Sequence, residues 1–348
     1  MAEDRPTGWG GDPVQPPSLD EVRDAAHRIA GTAVRTPLMS LNGQDSEPDI
    51  FLKPEVLQPV GSFKIRGVGN WALSLEEEEA RSGIATTSAG NTAMALGYMG
   101  KVLGVPARSH VPDSLHESKR AAIAAYGVDL IHVSMTDLMR FMFEEAWRQE
   151  PYTYLNPWGE PLMIAGHGTI GLEILEDLAD LESIFVPVGG GALISGVASV
   201  LKALKPTVRV YGVQARVNSA LAAAFEAGGP TWIEWHDTIV EGASTPVITD
   251  EIYPMLRSLI DEVVLVSEEQ VMAAMARLAM RDKLVTEGAG AASVAAALAT
   301  PVDERGLSVC VVSGGSVDRD LLARVIGEAD QLPQVIYHPT SHDPGSTQ

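Results

Sequence analysis

Lysine is scarce in this chain: seven lysines stand against eighteen arginines. One of them, Lys64, lies between Phe63 and Ile65, just after a Gly61-Ser62 turn, in the run Lys53-Pro-Glu-Val-Leu-Gln-Pro-Val-Gly-Ser-Phe-Lys-Ile-Arg-Gly67. Burial disfavours an ammonium ion, lowers its pKa and leaves a neutral amine that can form a Schiff base with a carbonyl. The alternative for this segment is a surface lysine whose stem follows an apolar patch with its charge in water.

Three further segments carry polar groups at spacings that suit one site. In Thr86-Thr-Ser-Ala-Gly-Asn-Thr-Ala93 small residues precede a helix expected from Thr92 through Tyr98. Free N–H groups at a helix start suit an anion such as a carboxylate, and Asn91 can donate to an oxygen; a plain N-cap is the alternative. In Val186-Pro-Val-Gly-Gly-Gly-Ala-Leu-Ile-Ser-Gly196 a strand runs through three glycines into a helix, so successive N–H groups form a nest for phosphate. The loop is neither a dinucleotide fingerprint, whose third glycine would fall on Ile194, nor a Walker A loop; a tight strand-to-helix turn is the alternative. In Val311-Val-Ser-Gly-Gly-Ser-Val-Asp318, Ser313 ends a strand and points at the crevice where parallel sheets bind ligands.

The elements that position these segments alternate. Short apolar runs at 107–111, 129–133, 183–188, 207–213 and 307–312 read as buried parallel strands. Helices are expected at 171–181 and 192–204, and Ser267-Glu-Glu-Gln270 has the form of a capping box. The acids Glu76–Glu79 read as a solvated helix face. An α/β chain follows. Its 348 residues, 45% hydrophobic, fit two domains or one large unit and exclude a disordered chain. The net charge of −21 disfavours nucleic acid and anionic membranes as partners. Cys310 is the single cysteine, so no intramolecular disulfide forms, and it reads as a buried thiol. The polar, proline- and glycine-rich start lacks a signal-peptide stretch, and the apolar run 289–299 is too short to span a bilayer. A cytoplasmic protein is expected.

Together the lysine, glycine nest, asparagine loop and strand-end serine describe a pyridoxal phosphate site. The chain resembles the fold type II pyridoxal phosphate enzymes, within them the threonine/serine dehydratase and serine racemase group. The motifs KPEVLQPVGSFKIRG, SAGNTA, IAGHGTIGLEIL, VPVGGGALISG, TEGAGAA and SGGSVD carry the resemblance, in the family's order, from about Pro37 to Asp318. It implies a tryptophan synthase β-like α/β fold, with two parallel-sheet domains and the active site between them. The expected division is 18–79 plus 153–336 for a large cofactor-binding domain and 80–152 for a small closing domain, with tails at 1–17 and 337–348. It implies that Lys64 holds pyridoxal 5'-phosphate as a Schiff base and Phe63 packs at the ring. Gly189, Gly190, Gly191, Ala192 and Leu193 would hold the phosphate, with Gly242 close to the cofactor. Asn91 would meet the ring hydroxyl, Ser313 the ring nitrogen, and Ser88, Gly90, Asn91 and Thr92 the substrate carboxylate. The implied reaction is β-elimination from a 3-hydroxy amino acid such as threonine or serine, giving a 2-oxo acid and ammonia, in a homo-oligomer (dimer or tetramer).

Departures narrow the reading. A racemase of the group uses a serine where Ala89 stands, so weak racemisation is expected. Thr92 replaces the usual histidine and leaves substrate identity open. Gln214, Asn218 and Ala220 occupy the group's divalent-metal positions without a carboxylate, so no metal site is expected. His110, His116 and His132 are expected at the surface or in loops. The chain ends soon after SGGSVD, so feedback inhibition by a branched-chain amino acid is not expected. Elimination from 3-hydroxyaspartate or phenylserine, β- or γ-replacement, threonine-synthase-like chemistry and a catalytically silent cofactor binder are the alternatives.

Overall fold

The computed structural model describes residues 12–41 and 49–333. The expected tail 337–348, the end of the expected large domain at 334–336, and residues 1–11 of the expected N-terminal tail lie outside the described residues. Ten strands run in chain order: β1 Met39–Ser40, β2 Ile50–Pro54, β3 Ile84–Thr87, β4 Ala107–Pro112, β5 Val128–Val133, β6 Thr153–Leu155, β7 Ser183–Pro187, β8 Arg209–Ala215, β9 Glu262–Val266 and β10 Ser308–Val312. They form a six-stranded sheet, β1-β2-β10-β7-β8-β9, and a four-stranded sheet, β5-β4-β3-β6. Every pairing is parallel except β1 with β2. β6 pairs with β3 and lies just past the boundary expected at 152, so the smaller sheet reaches residue 155.

The five strands expected from sequence all form, shifted by at most two residues at either end. Their period of two explains why they read as unbroken apolar runs. Ile184, Val186, Val210, Val309 and Val311 face one core, while Phe185, Tyr211, Cys310 and Val312 face another on the opposite side of the sheet. Phe185 stacks on Tyr211 with ring centroids 4.5 Å apart. Cys310 is a buried free thiol. The capping box at Ser267 is present, and the acidic run becomes the short exposed helix Glu77–Ala80. The apolar run near 289–299 is the buried helix Gly288–Ala299. Among the described residues no helix is long and apolar enough to cross a membrane.

The helix expected at 171–181 is instead Pro161–Asp177. Its first half is rich in glycine, and these glycines are packing surfaces. A Cβ at Gly166 would collide with the Arg66 carbonyl, and one at Gly196 of the helix Ala192–Leu204 would collide with the Ile164 carbonyl. Backbone therefore packs on backbone between Pro161–Asp177 and its two neighbours, Lys64–Ala72 and Ala192–Leu204. One apolar core joins the two sheets: Ile84, Leu96, Met99 and Leu155 pack in the same cluster as Ile164, Ile170 and Ile184.

Candidate active site

Lys64 is the first residue of the helix Lys64–Ala72. The turn before it is fixed by Gly61, whose φ of +69° suits glycine, and by the loop after β10. Phe63 N–H donates to the Ser313 carbonyl at 3.0 Å, and Gly315 N–H donates to the Gly61 carbonyl at 2.9 Å. Two segments about 250 residues apart in sequence are thus laced together by backbone. The lysine amine lies 5.0 Å from the Phe63 ring centroid, and that ring meets the His167 ring edge-on at 4.7 Å.

Burial pushes the Lys64 amine down to about 8, with the nearby Glu287 carboxyl partly opposing the shift. The positive end of its own helix works in the same direction as burial. Two residues on, Arg66 is fully enclosed. Its guanidinium donates to Glu55 at 2.7 and 2.9 Å and to Glu173 at 2.7 and 2.9 Å. Lys53 completes this buried group, donating to Glu173 and to the Thr36 carbonyl, each at 2.6 Å. Two cations and two carboxylates balance, which is how buried charges are tolerated.

The glycine loop follows β7. Gly191 has φ +100°, and a Cβ there would fall 2.8 Å from Leu256. A Cβ at Gly190 would fall 2.5 Å from Trp158 Cδ1. Side chains are excluded at both positions, so the chain passes through bare and enters the helix Ala192–Leu204, whose first N–H groups have no intrahelical acceptor. A shape with room for backbone alone, ending in unpaired donors, fits a phosphate.

The asparagine loop follows β3 and opens the helix Asn91–Leu103. Ser88 Oγ accepts from Gly90 N–H at 3.3 Å, and Ser109 Oγ accepts from Ser88 N–H at 3.1 Å. Thr92 is buried. The Asn91 side chain reaches across to the other sheet. Its Nδ2 donates to Glu287 at 2.8 Å, and its Oδ1 accepts from Ser316 Oγ at 2.7 Å.

All the residues expected at the site meet in one cavity of about 1620 Å³, walled by elements of both sheets. Phe63 and Lys64 line it beside Ser313; Ser88, Gly90, Asn91 and Thr92 line it with Ala89; Gly189, Gly190, Gly191, Ala192, Leu193 and Gly242 complete it. Sequence reasoning missed Glu287, Lys119 and Glu241, which also line it. Burial pushes the Glu287 carboxyl up to about 7, against hydrogen bonding from Asn91 and the charges of Lys119 and Lys64. Its signal was available: Glu287 is the only charged residue between Lys283 and Asp303. Lys119 and Glu241, by contrast, form an ion pair that depends on how two distant segments meet.

One expectation changes. His110 is buried on β4, with its ring stacked on Phe141 at 4.0 Å, rather than at the surface. The helix Met135–Phe143 covers that strand position, which a reading of isolated histidines cannot foresee. His116 and His132 are exposed, as expected. Ser316 holds Asn91. Gln214 spends its amide on backbone: Nε2 donates to the Val188 carbonyl at 3.1 Å and Oε1 accepts from Leu221 N–H at 2.8 Å. Asn218 likewise pairs twice with the His236 backbone. Among the described residues there is no group of three or more His, Cys, Asp or Glu that could hold a metal ion.

An amine held close to neutrality, facing an anion cradle at the carboxyl ends of parallel strands, defines an enzyme built around a phosphorylated carbonyl cofactor. The chain belongs to the family of pyridoxal-phosphate dependent enzymes, whose model matches residues 29–314. It is 36% identical over 321 residues to the catabolic L-threonine dehydratase TdcB of Escherichia coli strain K12, covering 90% of this chain and 98% of that protein. It superimposes on maize serine racemase with a TM-score of 0.81 at 29% identity, covering 91% of this chain and 99% of the other. A threonine deaminase of T.th. gives 0.78 at 33%, covering 87% and 99%. The cofactor is pyridoxal phosphate, the fold is type II, and the protein is an enzyme.

Proposed function

We propose that the protein eliminates water from a 3-hydroxy amino acid such as threonine or serine and releases a 2-oxo acid and ammonia. The dehydratase and deaminase among its relatives support this reading. The observation that carries it is the Lys64 amine, depressed to about 8 inside the cavity that also holds the glycine loop. Bound pyridoxal phosphate supplies a conjugated ring that takes up the electrons released at the substrate α-carbon. Lys64 Nζ anchors the cofactor and then accepts the α-proton. N–H groups from Gly189 to Leu193 hold the phosphate, with Gly242 leaving room beside it, and Phe63 packs at the ring. Asn91 would donate to the ring hydroxyl. Ser313, a hydroxyl rather than a carboxylate, would face the ring nitrogen; it could not hold a proton there as an acid would, which would favour loss of a leaving group over transamination. Ser88, Gly90, Asn91 and Thr92 take the substrate carboxylate.

Ala89 lines the cavity where a racemase of the group has its second base. A methyl group moves no proton, so interconversion of serine enantiomers is expected to run well below elimination. Residues 80–152, with the adjoining strand β6, form the part that closes over substrate. The same reading includes a cytoplasmic setting and a homo-oligomer, dimer or tetramer. A monomer by light scattering would remove the latter.

The test is a panel of threonine, serine, 3-hydroxyaspartate and phenylserine with 2-oxo acid detection. Threonine or serine is expected to give the highest kcat/KM, and Lys64→Ala to lower kcat by about 10²–10⁴-fold or more. A cofactor-loaded protein that yields no 2-oxo acid from any of the four would overturn elimination and favour replacement chemistry or a silent cofactor binder.

A further inference from the structure

The asparagine loop holds its side chain in an unusual way. Asn91 belongs to the helix that leaves the smaller sheet, yet both ends of its amide are engaged by the larger one. Glu287 takes a hydrogen from Nδ2 at 2.8 Å, and Ser316 Oγ gives its hydrogen to Oδ1 at 2.7 Å. In this orientation the Glu287 carboxyl accepts from the amide nitrogen and the Ser316 hydroxyl donates to the amide oxygen. Glu287 is itself wedged in place. Its backbone N–H donates to the Gly314 carbonyl at 3.1 Å, a Cβ at Gly314 would collide with its Oε1, and a Cβ at Gly242 would come within 3.4 Å of the same atom. A carboxyl gripped between two glycine loops has little freedom of rotation.

We infer that Glu287 is a positioning residue for the cofactor: with Ser316 it fixes the plane of the Asn91 amide, so that the second Nδ2 hydrogen is left for the ring hydroxyl. This rests on the cofactor-binding reading of the site and not on the identity of the amino-acid substrate. The proton on Glu287 matters as well as its place. The charged groups facing it are Lys64 and Lys119; Glu241, from the Gly242 loop, pairs with Lys119, and Asp318 lies near Lys119. A neutral Glu287 carboxyl tolerates an ionised ring hydroxyl beside Asn91, whereas a carboxylate repels it. The electronic state of the bound ring should therefore follow the Glu287 proton, whose pKa burial pushes up to about 7.

The experiment reads the visible absorbance of the cofactor-loaded enzyme, without substrate, from pH 5.5 to 9. The wild type is expected to show a spectral step near pH 7. Glu287→Gln keeps the shape and an amide oxygen to accept from Asn91, so it should bind cofactor within about three-fold of wild type while losing the step. Glu287→Ala should lose the step and weaken cofactor binding at least ten-fold in reconstitution of the apoprotein, with an unchanged melting temperature of the apoprotein as the folding control. In an Asn91→Ala background the amide that Glu287 positions is gone, so Glu287→Gln should weaken cofactor binding no further. A step that persists in Glu287→Gln, no step in the wild type, or additive effects in the double variant would each overturn the inference. If the step behaves as expected but no hydroxy amino acid is consumed, the substrate reading fails and the positioning role stands.

Discussion

A neutral amine attacks the cofactor aldehyde and an ammonium does not, so the state of Lys64 can be followed through reconstitution of the apoenzyme. With its amine brought down to about 8, the rate should rise roughly ten-fold per pH unit below that value and level off above it. A lysine at its ordinary value near 10.5 would go on rising past pH 9. A stopped-flow series from pH 6 to 10 checks this; continued rise beyond pH 9 would place Lys64 in water rather than in the cavity wall. The shift has a visible origin in the sequence, the apolar neighbours Phe63 and Ile65, and so the lysine was legible without a structure. Its partner Glu287 was not assigned, although the lone acid ahead of an alanine-rich helix marks a charge that the fold must enclose. Ser316 was opaque for a different reason. Its partner Asn91 is 225 positions away, and nothing local to either residue records the contact.

The helix Lys64–Ala72 is an element whose place is fixed by charge rather than by apolar packing alone. Burial works to raise the Glu55 carboxyl, but the Arg66 guanidinium, with its hydrogen bonds, and lesser contributions from Thr36 and Lys53 outweigh it and hold the carboxyl below its ordinary value. The sign follows. The depressed Glu55 contributes stability that is fully present above pH 4.5, its ordinary value, and is lost as pH falls through the folded-state value. Glu55→Gln leaves the Arg66 charge short of a partner and should cost about 3–5 kcal/mol, measurable by urea unfolding at pH 7. The loss should shrink on acidification; a variant as stable as wild type at pH 7 would mean that Glu173 alone satisfies Arg66. This element also marks what the sequence conceals. Lys53, next to the end of β2, is a buried charge, which it spends on Glu173 inside the molecule. The expected helix begins only at 171, and Gly166 and Gly168 ahead of it lie inside the same helix, because their neighbours need the space of a missing side chain. Period and capping are local signals and read correctly; buried ion pairs and backbone-to-backbone packing are tertiary and do not.

Across the whole molecule the two sheets meet in two ways. On one side Leu96, Met99 and Ile164 share an apolar core, which resists separation. On the cavity side the links are polar: Asn91 to Glu287 and Ser316, Ser118 to Asp318, and Lys119 to Glu241. Apolar contacts on one side and exchangeable polar contacts on the other would suit a hinge with a latch, the closing movement proposed above. The Lys119–Glu241 pair is half exposed, with side chains 38% and 52% accessible, and exposed pairs contribute at most about 1 kcal/mol. Lys119→Ala should therefore raise KM by no more than about five-fold and leave kcat close to wild type. Added salt should do the same to the wild type and nothing to the variant, since salt screens a pair only where one exists. Exchanging the two charges, Lys119→Glu with Glu241→Lys, should restore most of the KM. A hundred-fold fall in kcat for Lys119→Ala would instead place its ammonium at the reacting atoms and end the account of Lys119 as a latch.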